Sequence, residues 1–544
     1  MTSISDGFAI RPAISDFLDY GGTPSFDQWF RGDVSIFGGF EYTFSNLRGL
    51  KMKMEYDPFN YRDFSAFYRY NYREELRKKD SNMNFGISYP INSFSTIDLS
   101  YIKGNTINLN FTLGFNFNKE LRKKPDFDPI ISEQKSQKRN KNSFYEELLI
   151  NLNQNDLFLQ TASLKNNGEL DLKISTSNHK NAIRSSSYSA SIAQRVASNN
   201  QIDLSLINIT HMNAGFELNE ISFVSSYFEK EDMSPYEVKV RNSSFKSGVP
   251  NGYKKDEFRP IVNFPVIFSS FRPSFRTHIG NPRKFYFGGL NIQNNSEIQF
   301  SRNLILTTAI DLPIYGNLED AVYQPGSNLE HVRTDIVKYL REDDIYITRM
   351  QLDYLWSPYR EMYAKISAGL FETMFGGFGG EFLYRPFDKN YSIGFNIFQV
   401  KQREFTQRFD FQNYDTTTGH INFSYFFPAG IESNISFGRY LAKDDGFTFD
   451  LGRRTKSGFK AGIYFTRTNI SAERFGEGSF DKGFYFQIPF DLFSNEYSGD
   501  DIAFRLSPLT RDGGAKLTYD KDLQGMIYNS TLYEISRQWS GFLN

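Results

Sequence analysis

Paired carboxylates are the first residues to consider for chemistry, because two of them can act as general acid and general base. Glu372 and Glu381 flank a glycine-rich stretch, and Asp444 and Asp445 are adjacent. The sequence has no cysteine and only five scattered histidines, so thiolate catalysis is excluded and a metal site is not indicated. Carboxylates in turns are common. We therefore expect neither pair to be catalytic, and we expect no cofactor.

The glycine-rich stretch FETMFGGFGGEFLYRPFDKNYSIGFNIF, residues 371–398, could be a phosphate loop by composition alone. A phosphate loop needs a helix directly after the glycines, usually with Gly-Lys-Ser/Thr. Here apolar and polar residues alternate, with Phe382 and Tyr384 on one side and Glu381 on the other. A turn signal at 386–390 follows, and the alternation then resumes. The stretch predicts a β-hairpin.

The same alternation recurs throughout the C-terminal half. Leu352 and Ile366 lie on apolar faces, whereas Asp353 and Lys365 lie on the opposite, polar faces. The chain contains 56 Phe and 33 Tyr, yet its mean hydropathy is −0.50, which suits strands that are apolar on one face only. Long strands with charges in mid-strand favour a transmembrane β-barrel with a wet lumen. A soluble β-sandwich or barrel, with its apolar face inward, is the alternative.

Loop lengths give a second indication. The connections at 312–344, 403–418 and 469–480 are long, whereas those at 357–360 and 454–457 are short. Long and short connections alternate along the chain, as expected for strands that end on two different sides of a membrane. We therefore predict an antiparallel barrel of about 12–14 strands.

The chain divides into regions of different character. Alternating segments before residue 118 predict five strands, too few to close a barrel of their own. Ser143 and Glu146 fit a capping box at the start of a helix. The predicted regions are 31–118, the end of an incomplete first β-barrel; 119–143, a charged linker; 144–245, a small periplasmic α/β module; 265–520, the β-barrel; and 521–544, a C-terminal tail.

Charge and apolar runs exclude some classes of protein. The net charge is −1, so nothing indicates binding to nucleic acid. The longest apolar runs fall far short of the ~20 residues that a membrane-spanning helix needs. The first residues lack the basic and apolar stretches of a signal peptide, so we expect a cytosolic protein or a mature or truncated form.

Several long motifs occur in an order that resembles the YjbH family of outer-membrane exopolysaccharide proteins. They are HVRTDIVKYL, FETMFGGFGGEFLYRPF, GRYLAKDDG, FGEGSFDKGFYFQIPFDLF and SPLTRDGGAKL. The resemblance runs from about residue 31 to about residue 520. It implies a capsule-associated outer-membrane protein with two β-barrels and a periplasmic module between them. From this resemblance we expect that the early strands of the first barrel are absent from this sequence. The resemblance carries over no catalytic residue.

The resemblance and the strand faces together lead to one functional expectation. We expect a non-enzymatic protein of the outer membrane of a Gram-negative bacterium that takes part in exopolysaccharide or capsule secretion or surface assembly. Its partners would be outer-membrane lipid, polysaccharide and other exopolysaccharide-export proteins. A general porin, a non-conducting scaffold or a glycan-modifying barrel enzyme are the alternatives.

A set of polar side chains could contact a glycan in the lumen. Arg272 and Arg276 could instead form an interfacial rim, with their stems along apolar surface. The other members lie on predicted polar faces, where they could also simply fill the pore. The candidates are Arg272, Arg276, Arg349, Asp353, Lys365 and Tyr464.

Overall fold

The protein is mainly β and is built from large antiparallel sheets. The structure is a computed structural model, and it divides the chain into two compact units, Met1–Phe117 and Asn118–Asn544. It describes residues 36–58, 79–91, 95–114, 124, 129, 131, 141–228, 245–248, 257–279, 286–322, 329–475, 480–494, 496–506 and 512–539.

The first unit contains one antiparallel sheet whose strands follow each other in sequence order. One face is polar and includes the Lys51–Glu41 ion pair at 2.8 Å, whereas apolar side chains such as Met52 and Leu99 are exposed on the other face. Five strands are described here, as the alternation predicted; the incomplete barrel stays a prediction. The strands are β1 (Gly38–Phe44), β2 (Leu50–Tyr56), β3 (Met83–Pro90), β4 (Ser95–Ile102) and β5 (Thr106–Leu113).

The second unit begins with a module of helices and strands that we call the middle module, residues 141–228 and 245–248. Its sheet has the order β10-β9-β8-β7-β6, and only β7 and β8 run parallel. The elements are α1 (Lys141–Gln154), β6 (Leu157–Leu164), β7 (Glu169–Thr176), α2 (Ala182–Asn199), β8 (Leu206–Asn213), β9 (Phe216–Val224) and β10 (Phe245–Gly248).

Both helices of the middle module pack against its sheet, with Phe144, Leu148 and Ile192 in one apolar core. The helix α2 makes the crossover that parallel strands require. Asn181 caps it, because its side chain accepts a hydrogen bond from the backbone N–H of Arg184. The predicted cap at Ser143 is wrong, since α1 already begins at Lys141.

The rest of the second unit is dominated by one antiparallel sheet whose strands also follow sequence order. Thirteen strands are described, within the predicted range of 12–14. They are β11 (Val266–Ile279), β12 (Tyr286–Gln299), β13 (Leu304–Gly316), β14 (Tyr346–Tyr359), β15 (Met362–Leu370), β16 (Phe375–Tyr384), β17 (Tyr391–Arg403), β18 (Phe411–Phe427), β19 (Ile431–Arg439), β20 (Asp445–Arg454), β21 (Lys460–Thr468), β22 (Asp481–Pro489) and β23 (Asp501–Leu506).

Some predicted boundaries differ from the observed ones. The expected long loop at 403–418 is shorter, because β18 already begins at Phe411 and pairs with β17. The backbone hydrogen bonds of the neighbouring strand decide where pairing starts, and the sequence of a single segment does not reveal them.

The two faces of the large sheet have opposite character. Leu352 and Ile366 point outward and are 38% and 56% exposed, whereas Asp353 and Lys365 are 0% and 1% exposed. The apolar face is thus solvent-accessible in the isolated chain and the polar face is covered. A soluble sandwich would show the reverse.

Two further parts of the second unit cover the polar face. One is the middle module, and the other is residues 512–539, which we call the C-terminal segment. The C-terminal segment contains the short helices α5 (Leu523–Ile527) and α6 (Leu532–Arg537). Two further short helices lie in connections of the large sheet: α3 (Ile336–Leu340) between β13 and β14, and α4 (Ala472–Phe475) between β21 and β22. The sequence predicted only a tail at 521–544, but Leu523 and Ile535 are fully buried.

The helices of the described chain are short or polar. None of them has both the length and the apolar character that crossing a membrane requires.

The turn between β18 and β19 offers a test of the fold. Gly430 has a φ of 76°, and a Cβ there would lie 2.0 Å from the carbonyl oxygen of Arg454. We expect Gly430→Ala to lower the free energy of unfolding by about 1–3 kcal/mol, measured by urea unfolding of the detergent-purified protein. Gly38→Ala is the control, since no atom lies within 4 Å of a Cβ at that position. Equal stability of the two variants would contradict the described turn.

Candidate functional site

The polar face of the large sheet, the middle module and the C-terminal segment surround two adjoining cavities. The module-side cavity has a volume of 1510 Å³ and is lined by Arg184 of the module and Arg454 of β20, among others. The inner cavity has a volume of 630 Å³ and is lined by His420 and Lys516, among others. Tyr464 lines both, so the two cavities are neighbours along one polar surface.

The beginning of the C-terminal segment is fixed by one buried aspartate. Asp512 accepts hydrogen bonds from the backbone N–H groups of Arg333 and Thr334 at 2.8 and 2.9 Å, and from the Thr334 hydroxyl at 2.8 Å. Arg333 also donates to the carbonyl oxygen of Lys516 at 2.7 Å and forms a two-pronged ion pair with Glu372. The connection between β13 and β14 thereby holds the segment against the sheet.

A buried lysine holds the middle of the segment. Lys365 of β15 donates to the carbonyl oxygens of Asp520 and Lys521, both at 2.8 Å. Its Nζ also lies 3.6 Å from the carboxylate of Glu381. On the neighbouring strand, Gln351 exchanges hydrogen bonds with the backbone of Asp520 at 3.1 and 3.0 Å. Strands β14, β15 and β16 therefore bind the backbone of the segment. These contacts depend little on which side chains the segment carries.

The end of the segment bridges the sheet and the middle module. Arg537 donates to the carbonyl oxygen of Arg454 at 2.8 Å. The backbone N–H of Leu532 donates to the carbonyl oxygen of Phe387 at 3.0 Å. Ile535 belongs to the apolar core of the module. The segment consequently couples the module to the turns of the sheet.

The module also contacts the sheet directly. Phe216 and Leu218 pack with Leu355, Tyr363 and Leu383 near the turns that follow β14 and β16. The rings of Phe216 and Tyr363 meet edge to face at a centroid distance of 5.2 Å. This apolar contact places the module at the side of the sheet where most connections are short.

A second anchor precedes the module in the chain. The ammonium group of Lys124 donates to three carbonyl oxygens in the connection between β22 and β23, those of Asp491, Ser494 and Glu496, at 2.8, 2.7 and 2.8 Å. One lysine thus satisfies three carbonyls at the end of a 3₁₀ turn.

Three side chains of the module have the order of a Ser-His-Asn triad. The Ser185 hydroxyl lies 2.8 Å from Nε2 of His211, whose Nδ1 lies 2.7 Å from the Asn219 oxygen. Burial lowers the pKa of His211, so the imidazole is neutral at pH 7. Ser185 and Asn219 are 0% exposed, and Ser185 also hydrogen-bonds to the carbonyl oxygen of Ala182. Ser185 and His211 border the module-side cavity. We interpret this group as an internal polar network, because the Ser185 side chain has no exposed surface.

The predicted carboxylate pairs are also engaged within the protein. Glu372 binds Arg333, and Asp445 lies 3.1 Å from Arg439. Asp444 accepts from the backbone N–H of Gly514 at 2.8 Å. Within the described part of the chain, no group of three or more acidic or histidine side chains could hold a metal ion.

Comparison with known proteins identifies the family of this chain. A family model described as "Exopolysaccharide biosynthesis protein YbjH" matches residues 2–529. The chain belongs to the YjbH family. It is 29% identical over 535 residues to "Uncharacterized lipoprotein YjbH" of Escherichia coli (strain K12), a match that covers 95% of this chain and 73% of the relative.

Of the six residues proposed from sequence in this member of the YjbH family, Tyr464 lines both cavities and the other five line neither. Arg272 is exposed and lies 3.4 Å from Asp500, next to β23. Arg276 lies over the ring of Tyr346 at 4.2 Å. Both arginines therefore have partners at the periphery of the sheet.

The remaining three predicted residues contact the C-terminal segment or residues next to it. Arg349 donates to the carbonyl oxygen of Phe371 at 3.0 Å and lies 3.5 Å from the Asp520 carboxylate. Asp353 accepts from Gln351 and Ser367, and Lys365 binds the segment. A glycan could touch Asp353 and Lys365 only if the segment moved, because both side chains are buried.

Sequence reasoning missed most residues of the inner cavity. Arg505 lies in a short strand, and Lys516 and Gln524 lie in a segment without periodic apolar residues. His420 and Asn434 did fall on predicted strands, and their places on the polar faces could have identified them. Nothing in the local pattern sets them apart from other polar residues of the same strands.

Removing the buried lysine tests the attachment of the segment. We expect Lys365→Ala to lower the free energy of unfolding by roughly 3–5 kcal/mol, because it leaves the carboxylates of Glu381 and Asp353 buried without their cation. Limited proteolysis with mass spectrometry should show cleavage within 512–539 that the unaltered protein resists.

Lys389→Ala is the matched control, since the side chain of Lys389 is 58% exposed and its contact with Asp388 lies in a turn. Such exposed pairs contribute at most about 1 kcal/mol. The attachment described here is refuted if both variants show the proteolysis pattern of the unaltered protein.

Proposed function

We propose that this protein is an outer-membrane β-barrel protein, not an enzyme, that takes part in the secretion or surface assembly of an exopolysaccharide. Membership of the YjbH family supports a role in handling exopolysaccharide. The observation that carries the membrane part of the proposal is the inverted character of the large sheet. Its apolar side chains are exposed and its charged mid-strand side chains are covered.

Lipid contact would account for the exposed face. Ile366, Phe378, Ile421 and Ile463 are each between 56% and 63% exposed, although each lies in the middle of a strand. Burying an apolar side chain of this size stabilises by about 1.5–3 kcal/mol, and many such chains on one face favour an apolar surrounding. Single exposed apolar residues are ordinary, but a continuous face of them is not.

Closure of the sheet into a barrel is supported by contacts between distant strands. Arg272 of β11 lies 3.4 Å from the carboxylate of Asp500, which directly precedes β23. The C-terminal segment contacts Glu297 of β12 through Lys521 and Glu432 of β19 through Tyr528. One short segment reaches both strands only if the sheet is strongly curved around it.

The envelope of a Gram-negative bacterium is the proposed location. The E. coli relative is named a lipoprotein, which fits that location. The partners in this proposal are outer-membrane lipid, polysaccharide and other exopolysaccharide-export proteins on the side of the middle module. No described group of side chains indicates a nucleic acid or a cofactor.

A non-conducting scaffold is the second candidate, favoured by how the polar face is filled. The C-terminal segment binds β14, β15 and β16, and the buried Arg403 fills the space near α3 with hydrogen bonds to four carbonyl groups. A polymer would have to pass beside the segment, through the module-side and inner cavities, or displace it. A general porin fits this filled interior less well.

The assignment of the two faces can be tested by placing a charge on the apolar one. Ile366→Arg should prevent assembly in the outer membrane, since an arginine that faces lipid near the midplane costs roughly 2–4 kcal/mol. Asp410→Arg, in the exposed connection between β17 and β18, is the control and should assemble normally. Fractionation and heat-modifiable migration in gels report assembly. Normal assembly of Ile366→Arg would argue against lipid contact.

The two sides of the sheet can be tested separately by inserted epitopes. We expect antibodies on intact cells to reach epitopes at 404–410 and 469–475, but not those at 360–361 and 455–459, because the latter lie on the side of the middle module. Permeabilised cells should expose all four. Reversed accessibility would mean that the module faces outward.

A further inference from the structure

We propose that the inner cavity binds an acidic sugar, a saccharide unit that carries a carboxylate. The inference rests on the proposed function and names the class of glycan that the polar face recognises. The volume of 630 Å³ lies within the range of about 300–1,000 Å³ typical of ligand pockets.

Four residues that line this cavity each carry a buried polar atom without a hydrogen-bond partner. Within the described part of the chain, these atoms are the Tyr464 hydroxyl, Nε2 of His420, Oδ1 of Asn434 and Nε2 of Gln524. Tyr464 and His420 are only 5% and 6% exposed. Leaving such a group unsatisfied costs about 1–3 kcal/mol, so four at one place require an explanation.

The chemistry of the four atoms matches a sugar. The Gln524 nitrogen donates, the Asn434 oxygen accepts, and the tyrosine hydroxyl can do both. The hydroxyl groups of a saccharide also both donate and accept, whereas a fully deprotonated inorganic anion such as sulfate only accepts. The donors and acceptors come from β18, β19, β21 and α5, so a ligand would contact several strands at once.

Two cations give the cavity its preference for an acidic ligand. Lys516 and Arg505 both line it, and neither forms an ion pair among the described residues, whereas a third cation of the lining, Arg333, is paired with Glu372. The guanidinium of Arg505 lies over the ring of Tyr464 at 4.3 Å. Burial lowers the pKa of Lys516 to about 8; the carboxylate of Asp450 opposes this shift, and the positive charge of Arg505 adds to it. A carboxylate between the two cations would relieve their repulsion.

The carboxylates that line the same cavity are engaged within the protein. Glu381 lies 3.6 Å from the Nζ of Lys365. Asp522 caps α5 by accepting from the backbone N–H of Gly525 at 2.8 Å. Asp481, the third, also interacts with the protein. Lys516 and Arg505 are therefore the charges available to a ligand.

Calorimetric titration of the detergent-purified full chain tests this proposal with three probes: trigalacturonic acid, maltotriose and inorganic phosphate. We expect trigalacturonic acid to bind at least tenfold more tightly than maltotriose or phosphate. Lys516→Gln combined with Arg505→Gln should weaken its binding at least tenfold. Lys389→Gln, which removes an exposed lysine outside both cavities, should leave binding unchanged.

Tyr464→Phe is the sharper variant, because it removes only a hydroxyl that has no partner in the described protein. It should preserve the ring beneath Arg505 and leave the unfolding midpoint unchanged or higher, while trigalacturonic acid binds about threefold to tenfold more weakly. A purely structural hydroxyl would change stability and not binding.

Three results would overturn the inference: equal affinity for the acidic and neutral trisaccharides, phosphate binding as tight as that of trigalacturonic acid, or no binding of any probe. Each leaves the membrane location intact, because fractionation measures that independently. Failure of the protein to reach the outer membrane would instead contradict the proposed function, whatever the calorimetry shows.

Discussion

A fully buried lysine ties the last part of the chain to the middle of the large sheet. An ammonium group out of contact with water must find acceptors for its donors, or its desolvation costs several kcal/mol. Lys365 finds them in two backbone carbonyls of the C-terminal segment and in the carboxylate of Glu381. The segment also joins the sheet to the middle module, since Ile535 lies in the apolar core of the module.

The same rule explains the other fixed points of the interior. Asp512 accepts from three donors of one connection, Lys124 donates to three carbonyls of another, and Arg403 donates to the carbonyls of four different residues. Each is a charged side chain bound mainly to backbone groups. Such contacts fix the positions of connections without the apolar packing that a soluble core would use, because the apolar side chains of this sheet point the other way.

The inner cavity differs from the surroundings of Lys365 in this respect. Around Lys365 nearly every donor and acceptor is satisfied, whereas the Tyr464 hydroxyl and the imidazole Nε2 of His420 are not. Satisfied polar groups around Lys365 fit a structural anchor, and polar groups without partners at the inner cavity fit a binding site. The cavity adjoins the module-side cavity, which is lined in part by residues of the middle module.

The sequence by itself determined the strands, their approximate number and their two faces. A period of two residues needs only local information, and Leu352, Asp353, Lys365 and Ile366 all lie on the predicted sides. The sequence also determined the family, because long motifs in a fixed order can be recognised without any knowledge of the fold. Helix and strand ends were less certain, as Ser143 and Phe411 show, since neighbouring hydrogen bonds decide them.

Only the tertiary structure decided what covers the polar face. Lys365 binds backbone carbonyls of the segment. Every residue has a backbone carbonyl, so no side-chain pattern in 512–539 predicts that this segment lies there. The same holds for the cavity: its residues come from β18, β19, β21, β23 and the C-terminal segment, which lie far apart in sequence. Tyr464 alone was predicted among them, because a place on a polar face is local information, whereas the partners that a buried polar atom finds or lacks depend on the whole fold.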